Sequence, residues 1–214
     1  VPVTLNTPKP LIKVCGKRII ETLLDAVIAA GIQDITIVRG YLGEQFDVLL
    51  KKYPMIKFIE NPIYNESNNI SSAYLMRDLV ENAYVMESDL VLYNPDIIRK
   101  YEYTSNYTGM KVDVTDDWCF ETKNGIITKV KVGGKGVHHM FGISYWTKED
   151  GIQLRKDLDT VFHMPGGKER YWDEVPLKDC IDHYAIRVRP VFEGDVVEID
   201  TYNELKQIDP VYNV

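Results

Sequence analysis

The fold is decided by one stretch, Ala83-Tyr84-Val85-Met86-Glu87-Ser88-Asp89. Its short, continuous apolar run at 83–86 is typical of a buried strand in a parallel sheet. Two acids follow, and Glu87 and Asp89 share one side if the backbone stays extended. Because ligands of open α/β sheets bind beyond the carboxyl ends of the strands, these acids are candidate Mg²⁺ ligands. A strand end exposed to solvent is the alternative interpretation.

Upstream of this stretch, predicted helices and strands alternate along the chain. Apolar residues at helical spacing predict an amphipathic helix over 17–30, and Gly31 is a typical C-terminal stop. Further strands are predicted at 34–38 and 56–59, and further helices at 44–53 and 71–80. Strands that alternate with helices are joined by right-handed crossovers, which predicts a mostly parallel sheet.

The second half of the chain has a different pattern. Antiparallel strands are predicted at 110–114, 118–122, 126–132 and 140–146, with a hairpin at 123–125 and a mobile glycine-rich loop at 133–136. Helices are predicted at 148–158, 171–178 and 201–208, and strands at 185–191 and 196–199. The whole predicts an α/β fold: a three-layer, Rossmann-like, mostly parallel but mixed sheet with an antiparallel, substrate-binding addition, in one domain over 1–214.

Composition excludes several classes of protein. The 214 residues are 45% hydrophobic, which is enough for a large core, and no apolar run is long enough to span a membrane. A net charge of −7 argues against nucleic acid as a partner. Three scattered cysteines favour a reduced, cytoplasmic setting, and the four histidines have no metal-site spacing.

Six short motifs carry a family resemblance. They occur in a consistent order on the predicted elements, at 7–11 (Thr-Pro-Lys-Pro-Leu), 40–46 (Gly-Tyr-Leu-Gly-Glu-Gln-Phe), 68–72 (Asn-Asn-Ile-Ser-Ser), 87–89 (Glu-Ser-Asp), 171–173 (Tyr-Trp-Asp) and 198–200 (Glu-Ile-Asp). Together they resemble the sugar-nucleotidyltransferase superfamily, and most closely the bacterial CTP:phosphocholine cytidylyltransferases.

The resemblance implies roles for the charged residues. Lys9 would stabilise charge on the α-phosphate, and Asp89 and Asp200 would hold Mg²⁺ between phosphates. Glu87 would support that site or face solvent. The nucleotide-binding half would be 1–100 and the acceptor-binding half 101–214. The other implied nucleotide-binding residues are Gly40, Tyr41, Asn68, Asn69, Ser71 and Ser72, for which helix capping and packing are the alternatives.

The resemblance also implies an acceptor that joins a phosphate or phosphonate to a cation. Aromatic faces with a nearby carboxylate suit a quaternary ammonium. The expected acceptor-site wall is Trp118, Tyr171, Trp172 and Asp173, although each aromatic residue alone is more often a core residue.

The function implied is transfer of CMP from CTP to phosphocholine, giving CDP-choline and pyrophosphate. Two alternatives stay open: 2-aminoethylphosphonate or a sugar phosphate as acceptor, or a nucleotide-binding module without catalysis. The family's glycine-rich loop with an arginine is not in this sequence, and we expect it upstream of Val1. Residues 207–210 could lead into a further C-terminal domain.

Overall fold

The computed structural model describes residues 5–212. The chain forms two compact units, each built from separate parts of the sequence. The first contains the residues up to Phe58, Glu87–Tyr101 and the residues from Glu193 onward; the second contains Ile59–Met86 and Glu102–Phe192. The predicted single domain with halves at 1–100 and 101–214 stays a prediction, but the C-terminal segment belongs to the same unit as the N-terminal one.

Ten strands and four α-helices are defined within residues 5–212. The strands are β1 (Lys13–Val14), β2 (Lys17–Arg18), β3 (Thr36–Arg39), β4 (Lys57–Glu60), β5 (Ala83–Met86), β6 (Leu90–Leu92), β7 (Asn106–Lys123), β8 (Ile126–Trp146), β9 (Arg187–Pro190) and β10 (Val196–Glu198). The helices are α1 (Ile19–Ala29), α2 (Ile70–Met76), α3 (Lys148–His163) and α4 (Tyr202–Ile208).

In the first unit, the short pair β6–β10 matters most for function. The two strands are antiparallel, and Leu90 lies opposite Glu198. A small apolar core holds them in place, formed by Ile12, Val14, Ile19, Val91, Ile199 and Leu205. This pairing brings two acidic motifs together, 87–89 and 198–200, which are more than a hundred residues apart in the sequence.

Local sequence explains how the helices of the first unit begin. The backbone N–H of Arg18 donates to the carboxylate of Glu21 at 3.0 Å, so α1 begins two residues later than predicted. At α4, Thr201 accepts from the backbone N–H of Glu204, whose carboxylate accepts from the Thr201 N–H in return. This capping box fixes the chain direction directly after Asp200.

The second unit is centred on a four-stranded sheet in the order β5-β8-β7-β9. Strand β8 runs antiparallel to β5 and β7, whereas β9 runs parallel to β7, so the sheet is mixed. Leu154 and Leu158 of α3 pack into the same core as Tyr107, Phe120 and Trp146. The predicted α/β class with a mixed sheet is confirmed, and β5 has the predicted bounds. The expectation that β5 lies in a parallel sheet is wrong, because β5 pairs antiparallel with β8 at one edge of this sheet.

The predicted strand breaks in the second half are wrong. Residues 110–114 and 118–122 belong to one strand, β7, and the predicted loop at 133–136 lies inside β8. Gly133 and Gly136 have φ of +74° and +63°, and the pairing shifts register between Thr115 and Trp118. The glycines permit an irregularity at this point, and both strands of the long hairpin continue beyond it.

Two predicted helices also differ. The helix predicted over 44–53 is a 3₁₀ helix, Gly43–Lys51, and the one predicted over 171–178 is a single π-helical turn, Val175–Asp179. Pro176 lacks a backbone N–H, which explains why a regular α-helix does not form there. Within residues 5–212, none of the helices is both long and apolar enough to cross a membrane.

Candidate active site

Lys9 is the centre of a charged cluster in the first unit. Its Nζ donates to Asp89 Oδ2 at 2.9 Å and to Asp200 Oδ1 at 2.8 Å. The two carboxylates are therefore no further apart than the sum of these distances. Lys9 begins the 3₁₀ turn Lys9–Leu11, in which Leu11 is buried, and buried Pro8 precedes it with φ of −54°. The prolines fix the backbone, so the lysine approaches the acids from a rigid turn.

The two carboxylate partners of Lys9 stabilise its charged form. Burial by itself lowers the pKa of Lys9, but the charges and hydrogen bonds of Asp89 and Asp200 outweigh burial, so the pKa is raised overall. The ammonium group is therefore protonated at neutral pH. A fixed positive charge of this kind can stabilise a phosphate oxygen without any proton transfer.

A second set of acids lies in the same unit. One carboxylate oxygen from each of Glu87, Asp89 and Glu198 lies within 4.8 Å of the others, and all three residues are half-buried. Strand β5 ends at Met86, and Ser88 and Asp89 form a turn, so the expected extended geometry is wrong at these residues. The turn still brings Glu87 and Asp89 together. We call Lys9, Glu87, Asp89, Glu198 and Asp200 the charged cluster.

No role was predicted for Glu198, although it lies in the 198–200 motif. It ends β10, where it faces Leu90, one residue after Asp89. Only the β6–β10 register reveals this neighbourhood. The donor set of the cluster is carboxylate oxygen, which suits Mg²⁺. The metal roles of Asp89 and Asp200 stay predictions.

The loop at 40–42 supports the segment before Lys9. The Tyr41 hydroxyl donates to the Leu5 carbonyl at 2.8 Å, and Gln45 Nε2 donates to the Asn6 carbonyl at 3.0 Å. Leu42 has a φ of +50°, which turns the chain sharply after Gly40 and Tyr41. The side chain of Tyr41 is 47% exposed, so its ring also remains accessible.

The predicted nucleobase residues form a hydrogen-bonded network in the second unit. Asn61 Nδ2 donates to the hydroxyls of Ser71 and Ser72, and the Ser71 hydroxyl donates to the Asn68 carbonyl. Ser71 is buried, whereas Asn68 is half-buried and lines an open groove of about 470 Å³. The groove is lined by Asn65, Glu66, Ser67, Asn68, Lys168 and Glu169. Base recognition by these residues stays a prediction.

Asn69 connects this network to the predicted acceptor wall. Its Oδ1 accepts from the backbone N–H of Trp172 at 2.8 Å. The backbone N–H of Asn68 donates to the Lys168 carbonyl at 2.8 Å. Asn69 lies at the N-cap of α2, but its side chain does not cap the helix. Its amide oxygen instead positions the segment that begins at Tyr171.

The four predicted wall residues, Trp118, Tyr171, Trp172 and Asp173, form what we call the aromatic cluster. Trp118 and Tyr171 meet edge to face with ring centroids 5.8 Å apart, and Tyr171 is 44% exposed. Trp172 is only 4% exposed and stacks on Tyr107 at 6.3 Å. Tyr171 is therefore exposed and Trp118 is half-buried, whereas Trp172 is a core residue.

Asp173 is the buried carboxylate of the aromatic cluster. It is 8% exposed, and the Tyr107 hydroxyl donates to its Oδ2 at 3.1 Å. Burial raises the pKa of Asp173 to about 6, although the Tyr107 hydrogen bond opposes the shift. A carboxylate that is buried to this extent supports the other residues of the predicted acceptor-site wall and is not itself exposed. The acceptor roles of all four residues stay predictions.

Comparison with known proteins gives a consistent family. A family model described as nucleotidyl transferase matches residues 1–113. The 2-aminoethylphosphonate cytidylyltransferase of Lancefieldella rimae is 35% identical over 99% of this chain and 87% of its own length. The choline-phosphate cytidylyltransferase of Haemophilus influenzae is 29% identical over 96% of this chain and 89% of its own length.

A solved structure agrees with these relatives. The CTP:phosphocholine cytidylyltransferase of Streptococcus pneumoniae superposes with a TM-score of 0.90 at 28% identity. The match covers 98% of this chain and 92% of that one. The similarity therefore extends over nearly the whole chain and includes both clusters.

Proposed function

The chain belongs to the nucleotidyl transferase family, and we propose that it transfers CMP from CTP to phosphocholine, giving CDP-choline and pyrophosphate. Its relatives support a cytidylyltransferase activity. The resemblance read from the sequence is thereby confirmed, and the chain is an enzyme of this family. The choice of acceptor and the roles of individual residues are the proposal.

The arrangement of Lys9 between Asp89 and Asp200 carries the catalytic part of the proposal. Transfer of a nucleotidyl group needs positioning and neutralisation of phosphate charge more than it needs a protein base. The acceptor phosphate is ionised at neutral pH and can attack directly. Lys9 would then exchange one carboxylate partner for an α-phosphate oxygen, so the positive charge of the lysine would stay paired with a negative charge.

Mg²⁺ is the proposed cofactor. Asp89 and Asp200 would hold it, with Glu87 and Glu198 close by as further oxygen donors. When bound, the ion would withdraw negative charge from the phosphates and hold them in line. Carboxylate oxygens are the donors that Mg²⁺ prefers, which supports this choice of ion.

Nucleotide-binding roles are proposed for residues of each unit, taken by itself. In the first unit, Gly40 and Tyr41 support the Lys9 segment. In the second unit, the half-buried amide of Asn68 lines the open groove, and both donor and acceptor groups on amides suit a cytosine edge. Asn69, Ser71 and Ser72 would hold Asn68 in place through the network described above.

The aromatic cluster supports phosphocholine as the acceptor. Its accessible part consists of the Trp118 and Tyr171 rings, which suit a quaternary ammonium that cannot donate hydrogen bonds. Its carboxylate neighbours Asp173 and Glu174 are buried, at 8% and 7% exposed. A primary ammonium would need accessible acceptors, which buried acids do not present to a ligand.

A second acceptor, 2-aminoethylphosphonate, is favoured by one specific observation. The Lancefieldella rimae relative named for that acceptor shares more identity with this chain than the two choline-phosphate relatives compared with it, at 35% against 29% and 28%. Both acceptors join an anionic phosphorus group to an amine cation, so one enzyme assay can compare them.

The test is pyrophosphate release by the full-length protein with Mg²⁺, each of the four nucleoside triphosphates and either acceptor. We expect CTP and phosphocholine to give the highest kcat/KM. Faster turnover of 2-aminoethylphosphonate would overturn the acceptor assignment. No release with any pair of substrates would overturn the transferase activity.

A variant pair sharpens this assay. Replacing Trp118 with alanine (Trp118→Ala) should raise the KM for phosphocholine about tenfold, since a cation–π contact contributes about 1–2 kcal/mol. The KM for 2-aminoethylphosphonate should change less. Tyr103→Ala is the matched control, because Tyr103 is an aromatic residue of the same unit that is 98% exposed. An equal loss for both acceptors would contradict a role for Trp118 in reading the cation.

A further inference from the structure

Three side chains of metal-binding type converge in the second unit, apart from both clusters described above. Asp157 of α3, Cys180 and His183 each place one ligand atom within 4.8 Å of the others. Asp157 is 5% exposed, Cys180 is half-buried and His183 is exposed. The sequence pattern does not indicate this group, because the cysteine lies 23 positions after the aspartate.

A hydrogen-bond network explains part of the group. Asp157 accepts from the Tyr184 hydroxyl at 2.5 Å, from Gln153 Nε2 at 3.0 Å and, through Oδ2, from His183 Nδ1 at 2.9 Å. The carboxylate is therefore satisfied in the absence of any ion. The network does not explain the thiol, because within residues 5–212 the Cys180 Sγ forms neither a hydrogen bond nor a disulfide.

The group is not a cysteine nucleophile. Burial, followed by the charges of Asp157 and Asp179, raises the pKa of the Cys180 thiol to about 11. A catalytic thiolate needs the opposite environment, with a depressed pKa.

We propose that Asp157, Cys180 and His183 bind a Zn²⁺ ion, with water at a fourth position. Thiolate, imidazole and carboxylate are the donors of tetrahedral zinc, whereas Mg²⁺ prefers oxygen ligands alone. On binding, the Cys180 thiol releases its proton to solvent. The ion displaces the proton between His183 Nδ1 and Asp157, which passes to solvent, and the imidazole binds the ion as the neutral tautomer with its proton on Nε2. One thiolate and one carboxylate balance the charge of the ion.

Zinc at this position would fasten α3 to the segment that follows the π-helical turn. Asp157 lies in the middle of α3, whereas Cys180 precedes the short 3₁₀ turn Ile181–His183 and His183 ends it. The site does not depend on the proposed transferase activity. Its donor set of thiolate, imidazole and carboxylate also differs chemically from the charged cluster, so the two ions can be distinguished experimentally.

The test is titration of the metal-free, full-length protein with Co²⁺, followed by displacement with Zn²⁺. We expect a thiolate-to-cobalt charge-transfer band in the near ultraviolet and the intense visible bands of a four-coordinate ion, at one equivalent per chain. Zn²⁺ should abolish both, and excess Mg²⁺ should leave both unchanged. A titration without a charge-transfer band overturns the proposal.

Variants locate the ion. Cys180→Ser should remove the charge-transfer band, and His183→Gln should weaken Co²⁺ binding about tenfold or more. His183 is exposed, so His183→Gln keeps the test valid even if the Cys180 variant does not fold. The matched controls are Cys15→Ser, at an exposed thiol, and His163→Gln, at a histidine of α3 that lies near Asp159 without a thiol. A band that survives Cys180→Ser, or that is lost in Cys15→Ser, overturns the assignment.

Discussion

The charged cluster and the aromatic cluster satisfy their polar groups in opposite ways. Lys9, Asp89 and Asp200 are partly exposed and pair with one another, with side-chain exposures of 25%, 28% and 55%. Trp172 and Asp173 are buried, and Asp173 accepts a hydrogen bond from the core residue Tyr107. A ligand can therefore replace partners in the charged cluster at little cost to the fold, whereas changes in the aromatic cluster act on stability first.

The largest expected effect separates activity from stability in the charged cluster. Asp89→Ala should lower kcat by about 10²–10³-fold, since a positioned charge group contributes that much to transition-state stabilisation. The free energy of unfolding should change by less than about 1 kcal/mol, because a partly exposed ion pair contributes little. Pyrophosphate release and urea unfolding measure the two quantities.

The matched control for this variant is Asp34→Ala. Asp34 pairs with Lys57 in the same unit, but it is 79% exposed and lies outside the charged cluster. We expect wild-type turnover from this control. An Asp89 variant that is as active as the control would contradict both the metal role of Asp89 and the proposed role of Lys9.

In the aromatic cluster the expected effect is on stability and its pH dependence. The pKa of Asp173 is raised to about 6 from an ordinary 3.8, so between these values the native state keeps a proton that the unfolded chain releases. Its contribution to stability is therefore lost as the pH rises through this window. Asp173→Asn cannot titrate, and its stability relative to wild type should increase by up to roughly 3 kcal/mol from pH 4 to pH 7.

Urea unfolding of both proteins across this pH range measures the difference. Asp182→Asn, at an exposed acid of the same unit, serves as the control and should follow the wild-type profile. If the Asp173→Asn and wild-type profiles run parallel, the carboxylate titrates normally and the contrast between the two clusters is weaker than the burial indicates.

The same contrast explains what sequence reasoning could find. Lys9, Asp89 and Asp200 lie next to element ends and follow recognisable motifs, so their convergence was predictable without a structure. Glu198 was not assigned, because its position depends on the β6–β10 register. In the second unit, composition does not distinguish accessible Trp118 from buried Trp172. The glycines at 133–136 resemble a loop, and only pairing with β7 shows that they lie within a strand.

Glu198 provides a sharper test within the charged cluster. Glu198→Gln should raise the Mg²⁺ concentration that gives half-maximal turnover by about tenfold, because loss of an oxygen ligand or its close support weakens binding on that scale. Turnover at saturating Mg²⁺ should largely recover. Glu193→Gln, at an exposed acid of the same unit, is the control. An unchanged Mg²⁺ requirement would leave Asp89 and Asp200 as the metal ligands without Glu198.

The smallest expected effect concerns Tyr41. From the sequence, a packing role and contact with the nucleotide both stay open for this residue. Its hydroxyl bonds the Leu5 carbonyl beside the Lys9 segment, and a partly exposed hydrogen bond of this kind contributes about 1 kcal/mol. Tyr41→Phe should therefore lower kcat a few-fold through a looser Lys9 segment, and it should leave the KM for CTP unchanged.

The companion variant Tyr41→Ala removes the ring as well and separates the two roles. If the ring contacts the nucleotide, Tyr41→Ala raises the KM for CTP, while Tyr41→Phe does not. If the residue only supports the Lys9 segment, both variants lower kcat to a similar extent and neither changes the KM. Gln45→Ala, which removes the neighbouring hydrogen bond to Asn6, should then reproduce the Tyr41→Phe result, because both side chains hold the same stretch of backbone.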